Sequence, residues 1–149
     1  MNLTLIICIV AALGGLFLFL KARTAKEWQI SPSEIPTLIS KLRSSPDPLA
    51  WAQVISEEND GLALDFSVNN GRFEFNWCLL GPKNLEDKGR FIDFLDRNGF
   101  AHTEIKAANG CPLIDVQGSN LEGLANRILS EMYHSAGSLR MLGEGFEWP

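Results

Sequence analysis

The sequence predicts an α+β protein: one amino-terminal transmembrane helix, then a domain in which an antiparallel sheet of about five strands packs against helices on one face. Three observations carry that expectation. An uncharged apolar run opens the chain; "LALDFSVNNGRFEFNW" alternates apolar and polar residues on either side of an Asn-Asn-Gly turn; and "SNLEGLANRILSEMYH" repeats apolar residues at helical spacing.

From Leu3 to Leu20 there is no charged residue, and twelve of the eighteen positions are Leu, Ile, Val or Phe. Those twelve favour insertion into a bilayer by about 4–7 kcal/mol. The run spans roughly 27 Å as a helix, enough for the hydrocarbon core. A cleaved signal peptide fits less well, because nothing basic precedes the run and Arg23 occupies the position where cleavage after Ala25 needs a small residue. Lys21, Arg23 and Lys26 follow the run and no Lys or Arg precedes it, so positive-inside bias puts the carboxyl-terminal part in the cytoplasm. The expected organisation is a membrane anchor with a basic stop over 1–26 and a cytoplasmic domain over 27–149, in a bacterial inner membrane.

Charge narrows the partners. The chain has 13 basic and 18 acidic residues, and all the acidic ones fall after Lys26, leaving 10 basic residues among them and a domain net charge of −8. Nucleic acid demands the opposite sign and is excluded as a partner. A protein with a basic surface is permitted.

Along the domain, "SPSEIPTLISKLRSSPDP" reads as a helix capped at Ser33 with Pro36 in its first turn. "LAWAQVISEE" is a weaker strand, and "LALDFSV" and "RFEFNWCLL" form a hairpin. Asn84 is expected to cap a helix through "LEDKGRFIDFLDRN", with Leu85, Phe91, Ile92 and Leu95 on its apolar side and Gly99 at its C′ position. "HTEIKAANGCPLIDVQG" reads as a second hairpin turning near Asn109–Gly110. Ser119 and Glu122 supply a capping box for the last helix. The tail "SAGSLRMLGEGFEWP" is punctuated by glycine and assigned no element.

This order, carried by "DFSVNNGRFEFNWCLL" and the final capped helix, resembles the type III secretion chaperones and the small bacterial domains that share their fold, over roughly Ser31 to His134. The resemblance is one of topology, without a shared residue motif. It implies a chaperone-like protein-binding role and a homodimer; a leading membrane span departs from that family's pattern.

Catalytic signatures are not found. His102, His134, Cys78 and Cys111 come from separate elements, and no pair has metal-ligand spacing. Glu57, Glu58 and Asp60 precede a turn and read as a solvated loop. No phosphate-binding glycine loop and no nucleophile elbow occurs. The expected function is therefore a membrane-anchored protein-binding module of the adaptor, chaperone or toxin-immunity type, with no catalytic residue, cofactor or metal. Trp148, Phe146 and Trp51 are the candidate partner-binding residues, because aromatic side chains dominate interface hot spots. A small structural subunit of a membrane complex is the alternative, followed by a Cys/His-based enzyme.

Overall fold

The computed structural model describes residues 25–149. Seven strands, β1 (Lys26–Ile30), β2 (Trp51–Ser56), β3 (Leu62–Asn69), β4 (Arg72–Cys78), β5 (Ala101–Lys106), β6 (Pro112–Gln117) and β7 (Leu139–Glu144), form one antiparallel sheet. Their spatial order is β1-β7-β2-β3-β4-β6-β5. Four helices accompany them: α1 (Ile35–Arg43), α2 (Pro82–Glu86), α3 (Lys88–Arg97) and α4 (Leu121–Arg127), the last running into a π-helical turn over Ile128–Met132.

The expectation of about five strands is corrected to seven. The two additional strands are β1, placed across the expected anchor–domain boundary at Lys26, and β7, in the glycine-punctuated tail. They pair with each other from Lys26 opposite Gly143 to Ile30 opposite Leu139, and β7 also pairs with β2. Neither strand carries a local turn signal that marks it, because each obtains its partner from the far end of the chain.

The expected membrane span, with Lys21 and Arg23, lies outside the described residues. Among the described residues no helix is long and apolar enough to cross a membrane. The longest uninterrupted α-helix, α3, has 10 residues, about 15 Å or half the thickness of a bilayer core, and α4 with its π-helical turn is only slightly longer. The single-pass architecture, the inner-membrane location and the membrane as a partner are thus not supported, and the fold is corrected to a seven-stranded α+β domain without a spanning helix among its described residues.

Alternation decides which sheet face is covered. Leu62, Leu64, Phe66 and Val68 of β3 lie on the same face as Phe73, Phe75 and Trp77 of β4, Ile114 and Val116 of β6, Ala52 and Val54 of β2, and Leu139 and Met141 of β7. All are buried in one cluster with Leu38, Ile39 and Leu42 of α1, Phe91 and Leu95 of α3, and Leu124 and Ile128 from the α4 region. Trp77 stacks on Phe91 with ring centroids 4.0 Å apart. Among the described residues the opposite face carries no helix.

The helix starts differ from their sequence readings in instructive ways. Ser31, not Ser33, begins the first helical segment: its backbone N–H donates to Glu34 Oε2 at 2.7 Å, and a 3₁₀ turn over Pro32–Glu34 leads into α1. Asn120 rather than Ser119 caps α4, accepting from the Gly123 N–H at 3.3 Å. Glu122, released from a capping role, pairs with Arg43. Asn84 is not a cap at all. It is fully buried, donating to Ala63 O at 2.7 Å and accepting from Ala63 N at 3.0 Å, while its own carbonyl accepts the Trp77 indole N–H at 2.9 Å. The pairing of β4 with β3 stops at Asp65, so the Asn84 side chain stands in for a strand beside Ala63. Leu85, expected on the apolar side, is exposed.

Candidate functional site

The uncovered sheet face is organised in rows. Register places Glu27, Leu142, Gln53, Asp65, Asn76, Asp115 and Thr103 side by side across all seven strands. Three of these are acidic and none is basic. Beside them runs a mixed row that starts with Gln29 and Arg140, passes through Ile55 and Ala63, and ends with Cys78, Leu113 and Ile105. On the other flank lie Glu144, Trp51, Ser67 and Glu74. Two period-2 strands with polar residues on the alternate positions are enough to build such a face, and five further strands extend it.

Asp65 sits near the middle of the sheet, and its surroundings are unlike those of an ordinary surface acid. Its Oδ1 accepts from the Gln53 amide at 2.8 Å. Its Oδ2 is buried and has no hydrogen-bond partner among the described residues. Burial is the main influence on its titration and lifts the carboxyl from 3.8 to about 6; the Gln53 amide and the Cys78 backbone N–H pull the other way. At neutral pH Asp65 is therefore an incompletely satisfied anion held close to the sheet surface. Because Oδ2 is itself buried, a partner's Lys, Arg or N–H group reaches it only when the Asp65 side chain turns outward.

The two thiols flank this position. Cys78 Sγ lies 3.0 Å from Cys111 Sγ, and both side chains are half-buried rather than enclosed. Burial, then the Cys78 thiol and the Asp65 charge, push the Cys111 thiol up to about 11. That thiol is protonated at neutral pH and is no activated nucleophile. His102 is opposite Val116 and bonds Asp96 at 3.0 Å, on the helix-covered side, so the sheet separates it from the thiols. His134 is exposed after the π-helical turn. Glu57 pairs with Arg140 at 3.0 Å, and Glu58 accepts from Ser135 and Gly137. Among the described residues no cluster of three metal-binding side chains forms.

Of the aromatic residues expected to meet a partner, only Trp51 lies on the open face. Phe146 is 9% exposed and packs against Trp28 with ring centroids 5.7 Å apart. Trp148 packs partly buried on the core. The tail is thus docked on its own domain. Lys26 stands opposite Gly143 and lines, with Lys41, Ser44, Ser45 and Phe146, an open groove of about 510 Å³. Asp65 was not singled out by sequence. Its alternate position in "LALDFSV" puts it away from the core, but its burial is set by the folded surroundings, which no local pattern displays.

No protein-family model, no curated protein and no solved structure matches the chain.

Proposed function

We propose that the chain is a protein-binding module, adaptor- or chaperone-like, whose open sheet face receives a basic, amphipathic segment of a partner protein. The observation that supports this most is Asp65, a desolvated acid whose buried Oδ2 has no partner, in the middle of a sheet face that carries no helix among the described residues. Keeping such a group costs stability, which is the usual mark of a position retained for use. The acidic row faces the partner's Lys or Arg side chains, and Leu113 and Ile105 in the neighbouring row accept its apolar side. Seven strands about 4.8 Å apart make a face roughly 30 Å wide and 17 Å long, or about 500 Å². That is below the roughly 800 Å² per partner of a standard interface and suits a single segment.

The test is site-specific photocrosslinking in cells, with the reactive residue at Ser67 on the open face or at Ser40 on the exposed surface of α1. An adduct formed only from Ser67, and lost when Asp65→Asn is added, supports the reading. Equal adducts from both sites, or none from Ser67, defeat it.

A further inference from the structure

The two half-buried thiols beside Asp65 lie close enough to react with each other. Cys78 closes β4, and Cys111 stands just ahead of β6, two residues before Leu113, which is the register partner of Cys78. Backbone contacts hold both residues in place. The Leu79 N–H donates to Pro112 O at 2.9 Å, the Ala107 N–H donates to Cys111 O at 2.9 Å, and the Cys111 N–H donates to Asn109 Oδ1 at 3.0 Å. The sulfurs are 3.0 Å apart, about 1 Å more than the length of a disulfide bond.

We infer that Cys78 and Cys111 are a disulfide-forming pair, and that their oxidation staples β4 to the β5–β6 hairpin across the open face. The inference does not depend on a partner binding there. Thiol–disulfide exchange with a low-molecular-weight disulfide such as glutathione disulfide balances the reaction. One cysteine thiolate attacks a glutathione sulfur and expels glutathione thiolate, giving a mixed disulfide. The second cysteine then attacks the protein sulfur of that mixed disulfide, forms the Cys78–Cys111 bond and expels the other glutathione. Two protein thiols lose two protons and two electrons, and one glutathione disulfide becomes two glutathione molecules. The bond encloses α2, α3 and β5, an interval long enough for loss of unfolded-chain entropy to be felt.

The experiment uses the full chain, which also contains Cys8. The folded protein is equilibrated with millimolar glutathione disulfide, remaining thiols are alkylated, and the digest is mapped by mass spectrometry. The expected result is a peptide joining Cys78 to Cys111 and a melting temperature about 5–10 °C above that of the reduced protein, with no such rise in Cys78→Ser. Recovery of Cys78 and Cys111 alkylated, trapped singly as glutathione adducts, or joined to Cys8 overturns the inference. A Cys78–Cys111 bond that leaves the melting temperature unchanged overturns the staple.

Discussion

Asp65 shows how a single side chain can work against the fold that holds it. In the unfolded chain its carboxyl has an ordinary affinity for protons; in the folded chain burial raises its pKa to about 6. The folded state therefore binds more protons between about pH 4 and pH 6. Its contribution lowers stability as pH rises through that window and leaves the deficit in place above it. Asp65→Asn removes the charge while keeping the shape. It is expected to be more stable than the parent by about 1–3 kcal/mol at pH 7.5 and to lose the Asp65 part of the fall between pH 4 and 6. Urea denaturation of both proteins at the two ends of that range measures this. A gain in stability joined to a loss of crosslinked partner separates a binding residue from a structural one. Asn84 is the counterpart, a buried polar residue that supports the fold. Replacing it by Ala leaves the N–H and C=O of Ala63 without their side-chain partners and is expected to cost about 2–4 kcal/mol in the same assay.

Elements were legible where the evidence for them is local. The β3–β4 hairpin announces itself through alternation and through Asn70 and Gly71, both left-handed at φ 50° and 79°, as a two-residue turn between antiparallel strands requires. The second hairpin and the amphipathic helices were read in the same way. β1 and β7 were missed because "KEWQI" and "LRMLGE" are short and each depends on a partner more than a hundred residues distant. The open face was foreseen only as a face left wet by alternation. Its acidic row exists only once seven strands are in register. Within β7, Gly143 records the same nonlocal demand. A Cβ there would stand 2.6 Å from the Phe146 ring and 3.0 Å from Trp51 O. Gly143→Ala is expected to displace Phe146 from Trp28 and to destabilise the fold by about 1–3 kcal/mol, read as a lower urea midpoint with altered tryptophan fluorescence.

Across the whole molecule, the sheet is built around a late strand. β7 enters between β1 and β2, bonds to both, and sends Leu139 and Met141 into the core. A chain stopping at Ser138 is therefore expected to lose the cooperative urea transition altogether. Loss of an edge strand such as β5, which pairs only with β6, removes far less of the interior. This arrangement also has a consequence during synthesis. Until β7 has left the ribosome, β1 has no neighbour and the side of β2 is a bare row of N–H and C=O groups. More than a hundred residues separate β1 from β7, so that row stays open while they are made, and a chaperone that shields exposed strand edges can act on it throughout that interval.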